Sequence, residues 1–101
     1  MLITSERKND KLIVKIFGII DAAGAKILRY NLSEIAVQNP HQVVLDLSKV
    51  PAIGSEGIGV ILLFSKTLQR NKANFKVYGI NENLYLFFKL LKLDEIIPIS
   101  R

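Results

Sequence analysis

The chain has no cysteine and no tryptophan, and it has one histidine and three prolines among its 101 residues. Without cysteine there is no disulfide framework and no thiolate metal centre, a composition that fits a reducing cytosol. The single histidine, His41, follows Pro40 in a turn, so a Ser-His-Asp hydrolase has one candidate base and no G-x-S-x-G around any serine. The nearest approach, Gly54-Ser55-Glu56-Gly57, is one residue short. Carboxylates at Asp21, Asp46, Glu56, Asp94 and Glu95 lack metal-ligand spacing. Gly54, Gly57 and Gly59 lack the Lys-Ser/Thr pair of a phosphate loop, and the dinucleotide fingerprint is missing as well. The expectation is therefore a protein that is not an enzyme, with no metal and no cofactor.

Long apolar runs are also missing. The longest, Val60 to Phe64, is far below the roughly 20 residues that span a bilayer. The start, MLITSERKND, has no signal-peptide pattern, so a cytoplasmic domain without membrane insertion is expected. The formal charge is +5, but its bases are scattered as singles and doublets such as Arg7-Lys8, Lys66, Arg70, Lys72 and Lys76. No dense basic stripe with interleaved aromatics forms, which argues against nucleic acid as a partner.

What is present is a core. Half of the residues are hydrophobic, enough for a packed core, and at 101 residues the chain is long enough for one such core and too short for two. Leu2–Glu6 and Leu12–Phe17 read as strands joined by a hairpin at Asn9-Asp10, with Gly18 ending the second. Asp21 is placed to cap a helix whose apolar stripe is Ala25, Leu28, Leu32 and Ile35, stopped by Pro40. Val43–Leu47 is nearly continuous apolar sequence and reads as a central strand covered on both faces. A second helix is expected from Ser55 to Gln69, with Ile58, Ile61, Leu62 and Leu68 inward. Phe75–Tyr78 follows as a strand. Asn81 caps a third helix from Glu82 to about Leu93, with one stripe of Leu84, Phe87, Phe88 and Leu91 and a second of Leu86, Leu90 and Leu93. Ile96–Ile99 reads as a short edge strand that tolerates Pro98. The order β-β-α-β-α-β-α-β gives an α/β fold, a mixed sheet of four to five strands.

The organising stretch is Val43–Leu68, a strand, a crossing loop and a helix that begins near a serine. Gly54 is expected at positive φ in that loop. Gly57 and Gly59 each cost a helix roughly 1 kcal/mol relative to alanine, so a close backbone approach is expected there. Ser55 reads first as an N-cap, since its hydroxyl can accept first-turn N–H groups. It also reads as a phosphorylation site. A phosphate adds about −1.5 to −2 charges, which a helix start tolerates while the surface changes sign.

The run Val44-Leu45-Asp46-Leu47-Ser48-Lys49-Val50 with Ile53-Gly54-Ser55-Glu56-Gly57-Ile58-Gly59 resembles the signature of STAS domains, and more closely the bacterial anti-sigma factor antagonists. Gly18-Ile19-Ile20-Asp21, Leu91-Lys92-Leu93-Asp94 and Ile97-Pro98-Ile99 extend the resemblance over nearly the whole chain as a single STAS-type domain. It implies a mixed sheet with helices mainly on one face, no catalysis, and an anti-sigma factor serine kinase as partner. In such proteins the unphosphorylated antagonist binds the kinase and frees its target. Phosphorylation of the serine that matches Ser55 blocks binding, and a serine phosphatase is an implied second partner. The implied contact set is Asp21, Ser48, Gly54, Ser55, Glu56, Gly57 and Ile58. Two residues depart from the family pattern: Gly54 stands where aspartate is usual, and Glu56 where Ser, Thr or Ala is commoner. The other reading of the same resemblance is a non-switching STAS subunit of a larger assembly, such as a lipid-transport ATPase complex or a stress-signalling scaffold. The doubly apolar third helix would supply its permanent contact.

Overall fold

The computed structural model describes all 101 residues. Strand β1 (Leu2–Lys8) and strand β2 (Lys11–Phe17) form the antiparallel hairpin, closed at Asn9, whose φ is +58°. Helix α1 (Ala22–Val37) crosses to strand β3 (Gln42–Lys49), and helix α2 (Ser55–Arg70) crosses to strand β4 (Asn74–Tyr78). Helix α3 (Glu82–Leu90) and a 3₁₀ turn (Leu93–Glu95) complete the chain. The sheet order is β1-β2-β3-β4, with β2-β3 and β3-β4 parallel. Each parallel pair needs a helical crossover, and the two crossovers put the starts of α1 and α2 at the carboxyl ends of the parallel strands. The mixed sheet is thus realised with four strands.

Burial follows from having helices on one face. Leu12, Val14 and Ile16 of β2, Val43, Leu45 and Leu47 of β3, and Phe75 and Val77 of β4 all point into one core of 25 residues. The alternate residues Ile13, Lys15, Phe17, Val44 and Asp46 are only half-buried. The expectation that β3 is covered on both faces is corrected accordingly: its neighbours are strands on both edges, but helices cover only one side. Leu28, Leu32, Ile61 and Leu68 fill the layer between sheet and helices. Phe64 of α2 meets Phe75 of β4 edge to face, with centroids 5.2 Å apart.

The last third of the chain departs most from expectation. Helix α3 stops at Leu90 rather than near Leu93, because Lys92 takes a left-handed conformation (φ +60°). Leu93 is then delivered into the core by the 3₁₀ turn. Of the first stripe only Leu84 and Phe88 are buried, while Phe87 and Leu91 face out with Leu86 and Leu90. Two and a half turns of helix lying against an already covered core can bury only one narrow face. The expected strand over Ile96–Ile99 is reduced to a single parallel bridge, Val77 to Ile99. Its backbone bonds run from Val77 N–H to Pro98 O and from Ser100 N–H to Val77 O.

Phe88, with no exposed surface, anchors α3 to the body. Phe88→Ala is expected to lower stability by about 3–5 kcal/mol, measured by urea denaturation.

Candidate functional site

Three loops meet at the carboxyl ends of the parallel strands, and the backbone joins them. Gly18 N–H donates to Lys49 O and Ile20 N–H to Ala52 O, both at 3.0 Å. Gly54 N–H donates back to Ile20 O at 2.8 Å, and Ile20 pairs with Ile53 as a parallel bridge. The β2–α1 loop and the β3–α2 loop are therefore locked side by side, with the Ile20 side chain fully buried beneath them. The third loop is tied in by Asn81. Its Oδ1 accepts the Leu84 N–H at 2.8 Å, and its Nδ2 donates to Pro51 O at 3.4 Å and Val50 O at 3.5 Å. Its capping role is legible in the sequence, but its reach to residues 30 and 31 positions earlier is not.

Ser55 is exposed and is the first residue of α2. The cap is Gly54, with extended backbone (φ −90°, ψ 176°), so two expectations are corrected: Ser55 does not cap, and Gly54 is not at positive φ. The positive-φ glycines are Gly18 and Gly79. The frame moves by one residue because the Gly54 N–H is held by Ile20 O, which fixes Gly54 as the last non-helical residue. Asp21 and Asn81 cap α1 and α3 with their side chains, whereas α2 has no side-chain cap. The first-turn N–H groups of α2 therefore lack a side-chain acceptor, and the positive end of its dipole lies beside the Ser55 hydroxyl. That hydroxyl donates to Glu56 Oε1 at 3.3 Å.

The other expected contact residues divide by burial. Asp21, Ser55 and Glu56 are exposed and lie on or beside the locked pair of loops. Asp21 is committed through Oδ1, which accepts the Gly24 N–H at 2.7 Å. Ser48 is also exposed but belongs to the β4 side of the crossing: its N–H bonds Asp46 Oδ1, and its Cβ packs against Gly79. No hydrogen bond joins Ser48 to Ser55. Gly57 and Ile58, also expected on the contact surface, are buried in the chain by itself. Gly57 is the predicted close approach, since a Cβ there would stand 2.7 Å from Ile20 Cγ2 and 2.8 Å from Ile53 Cγ1. Gly59 is different, with open space before it and nothing within 4 Å. It borders a groove of about 440 Å³ between α1 and α2, which Lys26, Arg29, Glu56 and Leu63 also line. This groove starts at Glu56, next to Ser55, and has no counterpart in the sequence reading.

The chain matches the STAS domain family over residues 3–101. It is 30% identical to the anti-sigma-B factor antagonist of Bacillus subtilis over 95 residues, which is 94% of this chain and 85% of that protein. Its fold matches the crystal structure of an anti-sigma factor antagonist from Mycobacterium paratuberculosis with a TM-score of 0.90. The two are 23% identical, and the match covers 98% of this chain and 84% of that one. The Bacillus cell fate determinant SpoIIAA in its phosphorylated form shares the fold at a TM-score of 0.76 and 14% identity, over 99% of this chain and 92% of that one.

The two glycines of α2 give opposite expectations. Gly57→Ala lowers stability by about 1–2 kcal/mol, because overpacking against Ile20 and Ile53 outweighs the helix-propensity gain. Gly59→Ala raises stability by up to about 1 kcal/mol, since its Cβ meets nothing. Thermal unfolding of both variants beside the parent chain checks the pair. Asp21→Ala, which removes the α1 cap, is expected to cost about 0.5–2 kcal/mol in the same measurement.

Proposed function

The chain belongs to the STAS domain family, and on that premise we propose that it is an anti-sigma factor antagonist that works by partner switching at Ser55. The observation that carries this reading is the exposed Ser55 hydroxyl on the first turn of a helix that has no side-chain cap. In the unphosphorylated state the surface around Asp21, Gly54, Ser55 and Glu56 docks on an anti-sigma factor serine kinase, which then releases its target. Phosphorylation of Ser55 ends the docking, and a serine phosphatase restores it.

The physical case rests on where the charge would fall. Esterifying the Ser55 oxygen removes its proton, so the hydrogen bond to Glu56 Oε1 is lost and two anions become neighbours. The Glu56 side chain is exposed and can turn into solvent, while the free end of the α2 dipole favours the new charge. The fold therefore accommodates the phosphate, and its cost falls on the complex, where about −1.5 to −2 charges would need a partner or be desolvated. The rigid backbone joint beneath the site supports a switch of surface charge rather than of shape. Helix α3 favours the second reading, a permanent STAS subunit, through the apolar residues it leaves exposed.

Two measurements separate these readings. Phosphopeptide mapping of the protein from its own cells is expected to find phosphate on Ser55, and calorimetric titration with the kinase should show Ser55→Asp binding at least tenfold more weakly than Ser55→Ala. Equal affinities would remove the charge switch and leave the permanent subunit. Glu56→Gln should speed phosphorylation of Ser55 roughly fivefold, since a like charge at about 4 Å costs about 1 kcal/mol in water.

A further inference from the structure

We propose that the exposed stripe of α3 is a self-association surface, through which two copies of this chain form a two-fold dimer without using Ser55. Leu86 and Leu90 stand one turn apart, as do Phe87 and Leu91, so the four side chains form a continuous outer stripe. Their exposures are 58%, 78%, 38% and 45% respectively. At roughly 150–200 Å² for a side chain of this size, the four leave on the order of 400 Å² of apolar surface in water. A standard interface takes about 800 Å² from each partner, about 65% of it apolar between identical subunits. The stripe therefore supplies most of the apolar area that such a dimer needs.

Charge selects the occupant. Residues Glu82 to Arg101 carry three acids (Glu82, Asp94, Glu95) and three bases (Lys89, Lys92, Arg101), so the whole +5 lies on the preceding part of the chain. Lys89 is within 4.0 Å of Asp94, and Arg101 within 3.7 Å of Glu82. An acidic protein or an anionic membrane would be drawn to the basic body, not to this neutral end. Two copies repel one another through their bodies, and the neutral end is where that repulsion is weakest. At a two-fold contact each surface faces itself, so equal numbers of both signs let bases of one copy meet acids of the other.

The test is sedimentation of the full chain from about 1 µM to about 1 mM. The mass is expected to rise from 11.4 kDa toward twice that value. The dimer should tighten between about 0.05 and 0.5 M NaCl, because salt screens repulsion between the bodies. Leu90→Asp should raise the dissociation constant at least tenfold with an unchanged circular dichroism spectrum, since Leu90 is almost fully exposed. Leu86→Asp serves if that variant does not fold. Ser55→Asp should leave the dimer intact, which keeps this outcome independent of the switch. A monomer throughout the range overturns the proposal. So does a dimer that withstands both α3 substitutions, which would point to the open edge of β1 instead.

Discussion

The site depends on a backbone joint between two loops that are about thirty residues apart in sequence. Ile20 donates its N–H to Ala52 and accepts the Gly54 N–H, so the segment before α1 and the segment before α2 hold each other in place. Each loop alone would be free to move. Paired, they act as a short extension of the parallel β2–β3 ladder beyond the regular strands. The joint needs a seat, and Gly57 provides it by letting the Ile20 and Ile53 side chains come closer to the α2 backbone than a Cβ would allow. Packing below and hydrogen bonding above thus fix where α2 begins, and Ser55 is set on its first turn.

This arrangement separates the groups that hold the fold from the groups that face water. The groups that hold the joint are backbone amides and buried apolar side chains, none of which can be charged by modification. The groups that face water, Ser55 and Glu56, contribute one weak mutual hydrogen bond and no tertiary contact by hydrogen bonding. A change of charge at Ser55 therefore acts on a surface whose shape is maintained from beneath. Helix α3 has its own division: Phe88 and Leu84 attach it to the core, while Leu86, Phe87, Leu90 and Leu91 keep 38–78% of their surface in solvent. The two surfaces also differ in electrostatics, because the chain's net charge resides on the body and not on the α3 end.

Much of this was legible in the residues and some was not. The apolar spacing of α1, the hairpin at Asn9-Asp10 and the capping roles of Asp21 and Asn81 are local patterns, and they hold in the structure. The close approach at Gly57 was legible as a cost without a visible return. The boundaries failed where long-range contacts override local preference. Ser55 lost the cap to Gly54 because Ile20 holds the Gly54 amide. Helix α3 ended early because the left-handed Lys92 redirects the chain and brings Leu93 inward. The groove between α1 and α2 was invisible, since it arises from the spacing of two helices rather than from either sequence.

The sequence by itself determined the alternation of strands and helices, the single core, and the family motif that singles out Ser55, because these rest on periodicity, composition and residue identity along the chain. Only the tertiary structure decided which side chains reach solvent. Gly57 and Ile58 lie below the surface while Ser55 and Glu56 lie on it, although all four are neighbours in one helical turn. The physical reason is that burial is a property of opposing surfaces: a helix shows which residues share a face, and only the packing of Ile20 and Ile53 against it settles which face is inside.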